Sequence, residues 1–268
     1  MGEVTKGHVE AGGVRYRYEI HGTGRPLLLL HGGFGTIEMF GPVLAQLAER
    51  RKVIAVDLYG HGRTALTDRK IEPAAMADDM AMIVRMLGFE QVDALGVSFG
   101  GMVAFRLAVQ HPTVVGRLVL VSVPFAYDGF YADIREQKKG ITREGAAMMM
   151  KTPLYDAYRA VAPRVDDFPD FVVRMGEVIR TNYDWSEEAK HLKPTTMLVY
   201  GDSDMFYPEH IVRFYQLLGG GLRDAGWDGA GMAWHATAWR SCRRDALHDV
   251  NRVESCRDCS AFSPKRRC

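Results

Sequence analysis

The sequence predicts an α/β protein: a mostly parallel sheet with helices on both faces, interrupted by a helical insertion. Three observations carry this. Short runs at 27–30, 53–56, 92–96, 117–122 and 195–200 are mostly apolar, without alternation, and bounded by turn residues. That is the pattern of strands covered on both faces. Segments with apolar residues at helical spacing separate the runs, as a parallel sheet requires. From Phe125 to about Lys193 the rhythm stops, and aromatic residues and methionines accumulate between Pro153, Pro163 and Pro169.

Composition bounds the remaining possibilities. The 268 residues suit one large domain or a core with an inserted segment, and 47% apolar content is enough for a substantial interior. Lys and Arg number 34 and Asp and Glu 33, a net charge of +1. No nucleic-acid partner is expected from that balance. Residues 1–6 carry no apolar signal-like region, and Lys6 stands where N-myristoylation wants Ser or Thr. No apolar run approaches the length of a membrane span. The body contains no cysteine before Cys242, which fits a reducing, cytoplasmic setting.

The elements follow in chain order. Val9, Val14, Tyr16, Tyr18 and Ile20 alternate around Gly12-Gly13, predicting an antiparallel hairpin over 7–20 at the sheet edge. Pro26 leads into the buried run Leu27–Leu30, followed by His31-Gly32-Gly33-Phe34-Gly35. Met39, Val43, Leu44 and Leu47 give a helix over 38–50. Val53–Val56 runs into Asp57-Leu58-Tyr59-Gly60-His61-Gly62-Arg63-Thr64, where Asp57 and Arg63 can form a charge-assisted tie. Met76, Met80, Ile83, Val84 and Leu87 form one stripe from Pro73 to Leu87. Methionines at helical spacing read as core, and Gly88 as the cap. A helix through Met102, Val103, Phe105, Leu107, Ala108 and Val109 is apolar on nearly all sides and stops at His111-Pro112. Pro208 opens a last helix with Ile211, Val212, Phe214, Tyr215, Leu217 and Leu218, ended by Gly219-Gly220-Gly221.

Between the run at 92–96 and the next helix lies Gly96-Val97-Ser98-Phe99-Gly100. A serine in G-x-S-x-G between strand and helix sits on a sharp turn that lifts its hydroxyl clear of the sheet. Small neighbours let the chain pass, and the free N–H groups of the helix start point at the place where an oxyanion would form.

With His31-Gly32-Gly33 after a buried strand and G-x-S-x-G after another, residues 10–235 resemble the α/β-hydrolase fold superfamily, in its serine esterase-like branch. The resemblance implies an oxyanion hole built from the backbone N–H of Gly33 or Phe34 together with that of Phe99. It makes the D-x-x-G-H-G-R loop at Asp57–Arg63 mainly structural, gives no chemistry to His61, and makes His31 an orienting loop histidine. It reads 125–193 as a helical lid that closes an apolar acyl or alcohol pocket over Ser98. In Gly201-Asp202-Ser203-Asp204 it matches Asp204 to the triad acid, with Asp202 bracing the turn. The plain alternative is that the two acids cap the following helix.

The implied protein is a serine hydrolase that cleaves carboxylic esters through an acyl-enzyme, with Ser98 as nucleophile. It takes a small apolar ester and needs no metal or organic cofactor. Its core spans 1–124 and 194–235. Serine at the elbow separates it from epoxide hydrolases and haloalkane dehalogenases, which carry aspartate there.

The pattern fails at the end of the chain. After Met232 no buried strand run is visible, and 236–268 is an Arg- and Cys-rich tail holding Cys242, Cys256, Cys259 and Cys268. Cys256-x-x-Cys259 lacks the partners of a zinc site. Two histidines follow the acid at a suitable distance, His235 and His248, and His248 is the chosen base; His210 lies too early. The composition suggests a shifted coding frame after about residue 232. One permissible codon set for Arg243–His248, read one base later, gives Gly-Val-Thr-His-Tyr. A tail this polar has little area with which to hold a base on Ser98. The expectation is therefore a poorly packed segment beyond about 235 and weak or absent activity. A catalytically impaired, ligand-binding relative is the competing function.

Overall fold

The structure, a computed structural model, describes residues 4–221 and the backbone of residues 238–242. One eight-stranded sheet runs in the order β1-β2-β4-β3-β5-β6-β7-β8. Its strands are β1 (Thr5–Ala11), β2 (Val14–His21), β3 (Pro26–Leu30), β4 (Lys52–Val56), β5 (Val92–Val97), β6 (Val115–Val121), β7 (Thr195–Gly201) and β8 (Ala238–Cys242). β1 and β2 form the expected hairpin, and β2 runs antiparallel to β4. Every other pairing is parallel. Gly12 and Gly13 both have positive φ, +54° and +74°, which two-residue hairpins of this hand require.

Side-chain alternation explains why the central runs are apolar at every position. Leu28 and Leu30 of β3 join Ile54, Val56, Ala94, Leu118, Leu120 and Leu198 on one face. There they pack on α2 (Pro73–Met86) and α3 (Phe99–Gln110). Leu27 and Leu29 join Val53, Ala55, Val97, Val121 and Val199 on the other face, against Val43 of α1 (Gly41–Ala48). Successive residues thus enter opposite cores, and both faces select apolar side chains at these positions.

The methionines of α2 divide as a core stripe should. Met76 and Met80 are fully buried, whereas Met82 and Met86 on the opposite side are exposed. Gly88, at φ +86°, ends the helix: its N–H bonds Arg85 O and the Phe89 N–H reaches back to Val84 O. Those two bonds satisfy carbonyls that the helix end leaves free.

Between β6 and β7 the chain inserts α4 (Ala132–Lys138), α5 (Arg143–Met149), α6 (Pro153–Val161), α7 (Phe168–Arg180) and α8 (Ser186–Lys190). This is the lid-like insertion. Its two ends are fastened together: the Trp185 N–H bonds Phe125 O and the Tyr127 N–H bonds Tyr183 O. α9 (Pro208–Leu217) then returns to the core through Ile211, Phe214 and Leu217.

Three details differ from the sequence reading. The helix expected over 38–50 is split into a 3-10 turn at Ile37–Phe40 and α1, where Gly41 takes φ +46°. β6 stops at Val121, because Ser122 turns to φ +53° and leaves the ladder. A strand does follow Met232: β8 pairs in parallel with β7 from Met197↔Ala238 to Gly201↔Cys242. It escaped notice because Ala-Trp-Arg-Ser-Cys is not an apolar run. Its ladder rests on backbone hydrogen bonds, which any sequence can supply.

Candidate active site

β5 delivers Ser98 to the carboxyl end of the sheet, where it adopts φ +49° and ψ −115°. A non-glycine residue in that region is strained, at a cost of about 1–3 kcal/mol, and persists only where its surroundings enforce it. Here the Ser98 N–H bonds Val121 O at 2.8 Å and Ser98 O accepts from the Met102 N–H at 2.9 Å. Gly96 and Gly100 have ordinary φ values, so their small size serves close approach. A Cβ on Gly96 would run into the Gly100 carbonyl, and one on Gly100 into those of Leu30 and His31. Gly96→Ala or Gly100→Ala is therefore expected to lower stability by about 1–3 kcal/mol, read as a lower urea midpoint.

The loop after β3 packs directly on the elbow. A Cβ placed on Gly32 would lie 3.8 Å from Ser98 Cβ, and one on Gly33 3.5 Å from Phe99 Cβ. Phe34 sits at φ +61°, and the Gly35 N–H bonds Gly32 O. Among the described residues, the N–H groups of Gly33, Phe34 and Phe99 have no acceptor. Such groups are available to a substrate oxygen.

His31 holds the loop. Its Nε2 accepts from the Leu58 N–H at 3.0 Å and its Nδ1 donates to Gly32 O at 2.8 Å, which fixes one neutral tautomer. Both nitrogens are engaged, as an orienting role requires. Asp57, fully buried, accepts from the backbone N–H groups of Ile37 and Arg63, and Arg63 Nη1 lies 3.6 Å from its carboxylate. The expected Asp57–Arg63 tie is present, and it shapes the floor of the loop.

His61 donates through Nδ1 to Tyr59 O, while its Nε2 is buried without a partner among the described residues. It packs on the rings of Phe99 and Phe171. Burial pushes it down to about 3 and lowers His31 as well. The sign follows from proton counting. Below the ordinary histidine value of about 6.5 the unfolded chain binds protons that the folded one refuses, so stability is lost as the pH is lowered. A decline between pH 6.5 and 3 is expected, and His61→Phe should make it shallower in a series of thermal melts.

The third component follows β7. Asp204 Oδ2 accepts from Ser122 Oγ at 2.6 Å and from the Gly201 N–H at 3.2 Å. Its Oδ1 accepts from the Met205 N–H at 2.8 Å. The Gly201 and Met205 N–H groups of this turn bond Asp204, while Asp202, read from sequence as bracing the turn, is exposed. Neither acid caps α9, whose N-cap position is Tyr207 with no side-chain cap bond. Ser98, the loop at 31–35 and Asp204 thus follow the carboxyl ends of β5, β3 and β7 in the parallel part of the sheet, with β6 between β5 and β7.

Residues 25–140 match the family model described as the alpha/beta hydrolase fold. Together with the strand order and the superposition on solved structures, this identifies the fold. The chain has the α/β-hydrolase fold. An uncharacterised protein of Mycobacterium tuberculosis is 40% identical over 110 residues, which is 41% of this chain and 32% of that protein. The chain thus spans about a third of the length of such curated relatives. The 2-hydroxy-6-oxo-6-(2'-aminophenyl)hexa-2,4-dienoic acid hydrolase of Metapseudomonas resinovorans is 31% identical over 160 residues, 56% of this chain and 54% of that one. Among solved structures, the carboxylesterase CesB of Bacillus subtilis superposes with a TM-score of 0.69 at 18% identity, covering 98% of this chain and 93% of its own.

In this α/β-hydrolase fold the insertion reaches the oxyanion loop through α7. Phe171 meets Phe34 and His61 edge-on at centroid distances of 5.3 and 4.6 Å. Met175 Cε would lie 3.2 Å from a Cβ on Gly33. Sequence reasoning could not separate these two from the insertion's own core, since Phe168 and Val172 share their spacing and burial. Ser122 was missed altogether.

His210, set aside from sequence as too early, lies on α9. It stacks on Phe125 at 4.0 Å, accepts from the Phe125 N–H, and is pushed down to about 4 by burial. It lines a cavity of about 600 Å³ with Asp128, Tyr183, Asp184 and Tyr207, at the base of the insertion and without Ser98. His235 and His248, together with the cysteine pair and the suggested frame shift, lie outside the described residues. Among the described residues no group of acids, histidines and cysteines is arranged to hold a metal ion, and no helix is long and apolar enough to cross a membrane.

Proposed function

We propose that this chain is a serine hydrolase that cleaves carboxylic esters through an acyl-enzyme. The observation that carries the reading is Ser98, a non-glycine residue held at φ +49° against the loop at 31–35. Strain of this kind has a use when it presents a nucleophile. Ser98 attacks the ester carbonyl. The N–H groups of Gly33 or Phe34 and of Phe99 stabilise the oxyanion. A histidine takes the serine proton and passes it to the leaving alcohol, and Asp204 holds that histidine in the required tautomer. His248 remains the chosen histidine. Water then releases the acid by the same sequence.

Phe34, Phe171 and Met175 around the loop favour a small apolar acyl or alcohol group over a charged one. The names of the carboxylesterase and of the dienoic acid hydrolase agree with a hydrolytic reaction. In this reading the reaction needs no cofactor and no nucleic-acid or membrane partner.

The test is incubation with a fluorophosphonate. Stoichiometric phosphonylation at Ser98, lost in Ser98→Ala, supports the enzyme. A folded chain that takes no label moves the proposal to a hydrolase-like binding protein.

A further inference from the structure

Ser122 lies between the nucleophile and the acid in both sequence and space. Its neighbour Val121 supplies the carbonyl that accepts the Ser98 N–H at 2.8 Å. The Ser122 N–H bonds Val199 O at 2.9 Å, and its hydroxyl donates to Asp204 Oδ2 at 2.6 Å. The residue is fully buried and sits at φ +53°, a region that serine rarely adopts. Extended backbone at this point would continue β6 and carry the hydroxyl with it. The left-handed turn leaves the ladder at the residue that meets Asp204.

We infer that Ser122 is a positioning residue for the esterase reaction: its hydroxyl fixes the Asp204 carboxylate in rotation and ties the acid turn to the strand that anchors the serine elbow. The inference rests on the proposed serine-hydrolase reading. A short hydroxyl–carboxylate bond is charge-assisted and directional. It occupies one lone pair of Oδ2, beside the Gly201 N–H, while Oδ1 receives the Met205 N–H. Three donors from three places hold a planar group against rotation about its own axis. The Ser122 hydroxyl is the only one of the three from a side chain, and it comes from another strand. Without it the carboxylate loses the bond that ties it to the end of β6, the strand whose Val121 carbonyl anchors Ser98.

The left-handed backbone provides a clean variant. Glycine tolerates φ +53° at no steric cost, so Ser122→Gly removes the hydroxyl and relieves the strain together. Ser122→Ala removes the hydroxyl and keeps the strain. Ser122→Cys keeps a weak donor. On an activated ester, Ser122→Gly and Ser122→Ala are both expected to lose roughly 10- to 100-fold in kcat with KM changed less than threefold, the scale of a misplaced reacting group. Ser122→Cys should recover part of the loss. In an Asp204→Asn background, Ser122→Gly should cost little more.

Equal kcat in Ser122→Gly and the parent overturns the inference. So does a loss confined to Ser122→Ala, which would assign the effect to backbone strain. A separate measurement needs no activity: denaturant midpoints of Ser122→Gly, Asp204→Asn and the double variant. Non-additive shifts support the tie, and additive shifts overturn it. If the parent hydrolyses nothing and takes no fluorophosphonate, the esterase reading fails, and this cycle still decides whether Ser122 holds Asp204.

Discussion

Ser98→Ala is expected to lower the turnover of a small activated ester by about 10⁴-fold or more, the scale at which nucleophile removal leaves only binding and oxyanion stabilisation. The loss should appear in kcat, with KM little changed, because the hydroxyl contributes its bond in the transition state and not in the ground-state complex. Stability gives a second readout. Alanine keeps the strained φ of +49°, so the unfolding midpoint of Ser98→Ala should stay near that of the parent. Ser98→Gly should also be inactive yet more stable, by about 1 kcal/mol, since glycine accepts that backbone freely. An inactive variant that gains stability is the expected mark of strain kept for function. Turnover that survives in Ser98→Ala would place the nucleophile elsewhere and remove the central support for the esterase.

The fold was legible because its strands are covered on both sides. Leu27–Leu30 and Val53–Val56 place successive side chains in two separate cores, so unbroken apolar runs were the only sequences that fit. The elbow was legible because its geometry demands small residues at 96 and 100, where close backbone approach leaves no room for a Cβ. β8 was illegible for the opposite reason. Ala238–Cys242 joins through backbone pairing with β7, which leaves no mark on side-chain pattern. Ser122 was illegible because Val119-Leu120-Val121-Ser122 reads as one continuing strand. Nothing local announces a left-handed turn at its last residue, and the carboxylate it meets lies 82 residues away. Phe171 and Met175 share one helix with Phe168 and Val172, so periodicity places all four inward without saying which reach the site. The proposed histidine, His248, lies where apolar periodicity ends and outside the described residues, so it was chosen over His235 by position in the chain and not by side-chain pattern.

Asp204→Asn is expected to lower turnover by about 10⁴-fold, while Asp202→Asn changes it by no more than a few-fold. The difference follows from what each carboxylate touches. Asp204 is half-buried and accepts three hydrogen bonds, from the Ser122 hydroxyl and from the N–H groups of Gly201 and Met205. An asparagine can offer only one acceptor oxygen. Its NH₂ must then face at least one of these donors, which leaves two donors opposed and costs about 1–3 kcal/mol. The same amide would present the wrong group to a histidine N–H, so the tautomer that leaves the other nitrogen free to take the serine proton is no longer enforced. Asp202 is exposed, where solvent can satisfy an isosteric amide as well as a carboxylate and the lost charge is screened. Steady-state kinetics and urea midpoints on both variants separate the two acids. A dead Asp202→Asn beside an active Asp204→Asn would transfer the assignment and, with it, the reason for the Ser122 contact. Loss of turnover in Asp204→Asn with an unchanged midpoint would instead mean that Asp204 exchanges its partners without penalty, leaving its contribution in the transition state alone.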